Sequence, residues 1–204
     1  MLKDTKPRMI TLVRLICSHM KNRFGQLVCL CLLPISLMSY AQMIDFTNPK
    51  IVDQMWVVND GVMGGVSQSR VRADPEGVVI EGVVSLENNG GFASVRSAAV
   101  FDRDPTTLAL KIKGDGKRYK FILRTDTSPR SAMYQAEFSA PDAWTVVRFR
   151  PNDFKASFRG RAVAAPGLVF SDVKELGILI ADRQKGTFRI QLKNVSALSN
   201  LEEK

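Results

Sequence analysis

The chain has 204 residues with 29 basic and 20 acidic side chains, and its three cysteines and single histidine all lie within residues 17–31. Without residues 1–41 the protein therefore has neither thiol nor imidazole, which excludes Cys/His nucleophiles, Ser-His-Asp triads, Cys/His zinc sites, histidine-bound haem and disulfides. The same 41 residues hold six basic residues and one acidic residue, so the remaining chain has a net charge of about +4 rather than +9. A nucleic-acid partner loses its main support and is not predicted.

The first 41 residues have the pattern of an export signal. A short basic segment at 20–23 precedes an apolar stretch at 27–38, and small residues lead to a boundary between Ala41 and Gln42. This predicts a signal peptide cleaved after Ala41, a true start at Met20, and a periplasmic or secreted protein. The apolar stretch is shorter than the roughly 20 residues of a membrane-spanning helix, so no stable span is predicted. A mitochondrial presequence is the alternative, because the leader is basic and nearly free of acids.

Residues 42–198 are predicted to form one all-β domain, followed by a loose tail at 199–204. Helical periodicity is missing, and short alternating or β-branched segments recur at a spacing of about ten residues, with Gly, Pro, Asn and Asp between them. This pattern favours a monomeric antiparallel β-sandwich. The predicted strands cover residues 78–86, 92–97, 108–113, 119–124, 133–138, 144–149, 176–181 and 188–192.

Two connections between predicted strands can be interpreted in detail. Asp115-Gly116 separates two alternating segments, and an Asp-Gly pair supplies the positive φ values of a tight turn, so residues 113–117 are predicted to form a hairpin tip. Residues 181–187 are predicted to make a similar, longer connection between the last two strands.

The segment 56–67 is the densest local signal in the chain. Three glycines within five residues, Gly61, Gly64 and Gly65, follow Asn59 and Asp60. Such a backbone path is one that side chains would obstruct, through tight turns or through close approach of another group. A kinked entry into the sandwich and a binding loop are equally compatible with it, and the amides and double glycine of residues 87–92 pose the same alternative.

These motifs resemble a known family. Asn-Asp-Gly-Val-Met-Gly-Gly-Val-Ser at 59–67, Glu-Asn-Asn-Gly-Gly-Phe-Ala-Ser-Val-Arg at 87–96 and Lys-Gly-Asp-Gly-Lys-Arg-Tyr-Lys at 113–120 occur in the order found in the domain of complex I intermediate-associated protein 30. The resemblance implies a galactose-binding-domain-like jelly roll, similar in architecture to family 11 carbohydrate-binding modules. It also implies a non-enzymatic role, since mitochondrial relatives are assembly factors for respiratory NADH:ubiquinone oxidoreductase.

The predicted function is a non-catalytic binding module without metal or cofactor. A protein partner is preferred, as for an assembly factor, and carbohydrate binding is the alternative. Exposed Trp and Tyr rings for sugar stacking are in short supply, and Trp56 and Trp144 are expected to pack in the core. Basic residues crowd segments 111–124 and 148–161, which we interpret as solvated strand faces in preference to a polyanion site.

The candidate binding residues lie mostly in the two glycine-rich segments. Asn and Asp side chains there could instead hydrogen-bond only their own turns, and Arg96 could serve only to neutralise Asp60 or Glu87. Met63 would supply an adaptable apolar contact. The full set is Asn59, Asp60, Met63, Ser67, Asn88, Asn89, Arg96, Asp115 and Tyr119.

Overall fold

The computed structural model describes residues 42–101, 104–128 and 130–199, so the predicted leader and most of the predicted tail lie outside the described residues. Thirteen strands form within these ranges: β1 Gln42–Asp45, β2 Met55–Asn59, β3 Gln68–Asp74, β4 Gly77–Val84, β5 Ala93–Ala98, β6 Thr107–Gly114, β7 Arg118–Arg124, β8 Met133–Ser139, β9 Thr145–Phe149, β10 Lys155–Phe158, β11 Arg161–Ala162, β12 Glu175–Ile180 and β13 Gly186–Leu198. The helices among them are single 3₁₀ turns or little more: Pro49–Gln54, Asp60–Met63, Glu87–Asn89, Pro151–Asp153 and Phe170–Asp172. No helix in the described ranges is long and apolar enough to cross a membrane.

The strands form two antiparallel sheets, which confirms the predicted β-sandwich. The six-stranded sheet has the order β3-β4-β13-β6-β9, with β1 added beside the second half of β13. The seven-stranded sheet has the order β11-β10-β8-β7-β12-β5-β2. Each of the eight predicted strand segments overlaps an observed strand.

The core lies between the sheets because alternate residues of each strand point inward. On β6 the inward residues are Leu108, Leu110 and Ile112, each fully buried. Aromatic rings fill the space towards one end, with Phe121 and Phe149 at a centroid distance of 5.3 Å. Burial of these apolar faces is the main source of stability in a domain that has no cysteine after residue 41.

The hairpin prediction at residues 113–117 is wrong. β6 pairs with β13 and β9, whereas β7 pairs with β12 and β8, so the connection crosses from one sheet to the other. Gly116 does adopt a positive φ of 81°, but the turn's amides bond outward: Gly114 N donates to Pro141 O and Gly116 N to Ala140 O. Residues 181–187 likewise cross between sheets, from β12 to β13.

Candidate functional site

Asp60 joins the two glycine-rich loops at one end of the seven-stranded sheet. Its fully buried carboxylate accepts hydrogen bonds from Ser67 N at 2.9 Å and from Gly91 N at 2.7 Å. The Ser67 hydroxyl donates to the same carboxylate at 2.5 Å, and Phe92 N lies at 3.3 Å. The two motifs that stand out in the sequence are therefore held together by one side chain.

Hydrogen bonding keeps Asp60 charged in spite of its burial. Burial by itself raises the pKa of a carboxyl group, because it penalises the charged form. At Asp60 the bonds donated by Ser67, Gly91 and Phe92 outweigh burial, and the pKa of Asp60 lies below its ordinary value. The loops are thus linked by an ionised carboxylate surrounded by donors.

Two glycines give this carboxylate its space. A Cβ atom at Gly65 would fall on the Asp60 carboxyl group, and one at Gly90 would come 2.6 Å from Asp60 Oδ2. Gly64, by contrast, has open space around it but a φ of 90°, which favours glycine. Both explanations offered by the sequence, tight turning and close approach, are confirmed, each at a different glycine.

The remaining loop residues divide into internal and exposed groups. Asn59 binds within its own loop, since its Nδ2 donates to Ser67 O at 3.3 Å and its Oδ1 accepts from the Ser69 hydroxyl at 2.8 Å. Ser67 is buried and accepts from Ser85 N at 2.9 Å. The exposed candidates are Met63, Asn88 and Asn89, and the two asparagines adopt left-handed φ values of 53° and 59°. A binding surface formed by these loops stays a prediction that rests on these three exposed residues.

Asp115 and Tyr119 hydrogen-bond to each other in the connection between the sheets. The Tyr119 hydroxyl donates to Asp115 Oδ1 at 2.9 Å, and Arg189 N donates to Asp115 Oδ2 at 3.0 Å. Tyr119 is 1% exposed and stacks on Phe138. Burial, together with the Asp115 carboxylate, raises the pKa of Tyr119 above its ordinary value. Both residues fix the corner of the sandwich, and Tyr119 presents no surface to a partner.

Arg96 lies on the outer face of the seven-stranded sheet. Its neighbours along β5, Val95 and Ser97, are buried, and Val95 belongs to the core, so Arg96 points away from it. The strand register aligns Arg96 with one residue from each of five other strands. We call this set the Trp56 row, and it comprises Trp56, Arg96, Gly177, Ile122, Gln135 and Lys155. Although Ile122 faces away from the core it is 1% exposed, so the surrounding side chains shelter the middle of the row.

The charge of Arg96 has no partner in the described part of the chain. Its Nε is buried and makes no hydrogen bond there. Glu175, whose negative charge acts on Arg96, already forms a buried ion pair with Arg124 at 3.2 Å. Burial and the repulsion from Arg124 lower the pKa of Arg96, and Glu175 offsets only part of this effect. The suggestion that Arg96 neutralises Asp60 or Glu87 is not supported, because the structure gives it no ion pair with either.

The row is built to accommodate this arginine. Gly177 lies opposite Arg96, and a Cβ atom there would come 3.0 Å from Arg96 Cγ and 2.5 Å from Val95 O. The glycine therefore leaves room for the arginine stem to lie across the sheet. A buried guanidinium N–H without an acceptor is energetically unfavourable for the isolated fold.

Trp56 is the cross-strand neighbour of Arg96 on the edge strand β2, and its side chain is 38% exposed. The expectation that both tryptophans pack in the core is wrong. Neither belongs to the core cluster, and Trp144 lies on the outer face of the other sheet. Alternate side chains of every strand in a sandwich point to the outer face, and the sequence Met-Trp-Val-Val-Asn has no clear alternation to show which ones do so in β2.

Other parts of the surface are weaker candidates. An open groove of about 560 Å³ lies on the six-stranded sheet, but Arg70, Glu81 and Arg189 in its lining pair with one another. Within the described ranges, no three His, Cys, Asp or Glu side chains converge as a metal site would require. The Trp56 row and the adjacent loops combine a buried, unpartnered Arg96 Nε with an exposed tryptophan ring, and we take them as the candidate site.

Comparison with known families decides the identity of the domain. The family model of complex I intermediate-associated protein 30 (CIA30) matches residues 44–192. The chain belongs to this family. No curated protein matches its sequence.

Solved structures agree with the fold. The family 11 carbohydrate-binding module from Clostridium thermocellum in complex with a β-1,3-1,4-mixed-linked tetrasaccharide superimposes with a TM-score of 0.55 at 11% identity, covering 78% of this chain and 96% of that one. The family 11 module of the Clostridium thermocellum cellulosomal cellulase Lic26A-Cel5E gives a TM-score of 0.56 at 11% identity, with coverages of 78% and 95%. At this identity the likeness shows the fold, and it confirms the galactose-binding-like jelly roll of the CIA30 domain.

Proposed function

We propose that this CIA30 protein is a non-catalytic binding module that holds a protein partner through the Trp56 row. The observation that carries the proposal is the buried Nε of Arg96, which has no hydrogen-bond partner among the described residues and lies cross-strand from the exposed Trp56. A partner that supplies an acceptor to Arg96 would remove an unfavourable feature of the free fold. Trp and Arg are also the residue types that most often dominate the energy of protein interfaces.

Apolar side chains extend this surface along the edge of the sheet. Met63 and Val66 are 59% and 46% exposed and lie in the loop that follows β2, whereas Val57, 41% exposed, is the cross-strand neighbour of the core residue Val95 and faces the other side of β2. Exposed apolar residues in the loop that follows the Trp56 strand, together with an arginine, have the composition of an interface centre. Among the described tyrosines, Tyr119 and Tyr134 are buried, which leaves few rings for sugar stacking.

Carbohydrate binding is the second candidate. The structural neighbour from Clostridium thermocellum is in complex with a mixed-linked tetrasaccharide, which supports the idea that this jelly roll can hold a glycan. In this chain Trp56 could stack on a sugar ring while Arg96 and Gln135 of the same row donate to its hydroxyls.

The location and biological role follow as parts of the proposal. The leader supports export to the bacterial envelope, and the family supports a role in assembly of a larger complex. Resemblance in fold does not by itself assign either.

One experiment separates the two ligands. The wild type, Arg96→Gln and the control Arg161→Gln, an exposed arginine of β11, are used to capture proteins from the envelope of the source cells. We expect one protein to be captured by the wild type and the control and lost with Arg96→Gln, and to bind again when purified. The same three proteins are run through gels that contain mixed-linked β-glucan. Retardation of the wild type there, without a captured protein, would favour the carbohydrate function and refute the protein one.

A further inference from the structure

The outer face of the six-stranded sheet is divided electrostatically. On one half, Arg70 and Arg189 lie 2.7 and 3.0 Å from Glu81, and Arg72 lies 3.5 Å from Asp74. Each of these three cations has a carboxylate partner, so the positive charge of this half is largely offset.

The other half carries basic side chains with hardly any acidic partners. They come from three neighbouring strands, and their inward neighbours Leu110, Ile112 and Val147 pack in or against the core. The strands β6 and β9 contain no acidic residue. The four basic residues are Lys111, Lys113, Arg148 and Lys193.

Nearby carboxylates do not neutralise this cluster. Lys113 lies 4.0 Å from Glu76, whereas Lys111, Arg148 and Lys193 have no carboxylate within that distance among the described residues. Asp45, whose carboxylate accepts hydrogen bonds from Thr47, lies in the same register row as Lys111, so four cations stand against two carboxylates, those of Asp45 and Glu76. The half therefore presents a net positive charge to solvent.

Trp144 holds two of these cations close together. The Lys113 and Lys193 ammonium groups lie 5.6 and 5.7 Å from the centroid of its ring. Cation–π attraction offsets part of the repulsion between the two like charges. The ring and the two ammonium groups thus form one cluster. We call the surface around it the Trp144 face, which comprises Trp144, Lys113, Lys193, Lys111, Arg148, Val146 and Met43.

Apolar side chains are exposed among the basic ones. Val146 is 43% exposed and is the cross-strand neighbour of Lys111. Met43 is 53% exposed and occupies the same row as Arg148, through Ser196 and Ala109. Exposed apolar groups between unpaired lysines are the composition that favours the boundary of an anionic bilayer, where headgroups attract the cations and the apolar groups leave water. An anionic polysaccharide would gain nothing from Val146 or Met43.

We propose that the Trp144 face docks on the surface of a membrane that contains anionic phospholipid. The binding is peripheral and involves no membrane-spanning segment. The two outer faces of a sandwich point in opposite directions, so a docked protein presents the Trp56 row away from the bilayer. The proposal does not depend on the function assigned to that row.

Vesicle sedimentation tests the charge requirement. The full chain is mixed with vesicles of phosphatidylcholine alone or with equal parts of phosphatidylglycerol, so that the apolar segment 27–38 contributes equally to every variant. We expect Lys111→Gln/Arg148→Gln to weaken binding to the anionic vesicles by about 30-fold. The control Arg118→Gln/Arg161→Gln removes two exposed charges from the other sheet, both outside the Trp56 row, and should bind like the wild type.

Tryptophan fluorescence tests which face touches the bilayer. The chain has two tryptophans, so Trp56→Phe and Trp144→Phe each leave a single reporter. With anionic vesicles, the emission of Trp144 in the Trp56→Phe protein should shift to the blue, and that of Trp56 should not shift. The proposal is overturned if the double variant binds like its control, if neutral vesicles bind equally well, or if only Trp56 responds. It is equally overturned if soluble anionic polysaccharide is bound and vesicles are not.

Discussion

Replacement of Asp60 by alanine should destabilise the domain far more than any surface change. The Ser67 and Gly91 amides lose their acceptor, while the Ser67 hydroxyl can turn to Ser85 O at 3.2 Å and the Phe92 amide loses only a long bond. Each buried donor left unsatisfied costs about 1–3 kcal/mol, so we expect a loss of about 3 kcal/mol in the free energy of unfolding, allowing for water that enters the vacated space. Asp53→Asn, at an exposed aspartate, is the control and should stay within about 0.5 kcal/mol of the wild type.

The contribution of Asp60 to the stability of the domain should decrease in acid. The pKa of Asp60 is lowered in the folded protein, so its contribution is fully present above the unfolded value near 3.9 and is lost as the pH falls through the folded pKa. Urea unfolding from pH 7 to pH 3 measures the difference in unfolding free energy between the wild type and Asp60→Ala. This difference should be constant from pH 7 to about pH 4 and should decrease at lower pH. Asp74, Glu81 and Asp126 also have lowered pKa values but are shared by both proteins. A difference in unfolding free energy below about 1 kcal/mol at pH 7, or one that increases in acid, would refute the structural role of Asp60.

Four further outcomes are expected. Arg96→Met keeps the stem over Gly177 and removes an unpaired buried group, so its unfolding free energy should match or exceed that of the wild type by about 1 kcal/mol, and a clear loss in urea unfolding would make Arg96 structural. Gly65→Ala should lower stability by about 2 kcal/mol because its Cβ meets Asp60, whereas Gly61→Ala, in open space, should be neutral by the same measurement. Thermal unfolding of the exported protein should be the same with and without reductant, and a reductant-dependent midpoint would contradict cleavage before Gln42. Intact-mass measurement of that protein should give a chain beginning at Gln42, and a soluble pool that retains the leader would contradict export.

The sequence predicts the strands of the core well because alternation survives where one face is buried. Leu108, Leu110 and Ile112 alternate with polar or small residues, and β6 lies where the pattern places it. β3 and β10 are less readable, since these strands bury few residues and hold more polar ones. The pairing of strands is not local information. Asp115-Gly116 has the chemistry of a hairpin, yet the adjoining strands bind partners tens of residues away in different sheets.

The sequence predicts which segments form the site but not how their side chains are oriented. The motifs at 59–67 and 87–96 do come together, but the sequence cannot show that Asp60 turns inward to join them while Arg96 turns outward. The distinction depends on strand register: Asp60 follows the end of β2, and Arg96 occupies an outward position of β5 opposite Trp56. Trp56 is missed because an aromatic residue among valines is typical of a core strand, and only the sheet order places β2 at an edge.

The most direct test of the central claim is photo-crosslinking from the Trp56 row in the cells that produce the protein. A p-benzoylphenylalanine residue is introduced in place of Trp56, and separately in place of Trp144 as a control on the opposite face. A protein that binds through the Trp56 row should give one defined protein adduct from position 56, absent from position 144 and lost when Arg96→Gln is added. No protein adduct from position 56, or the same adducts from both positions, would contradict the proposal.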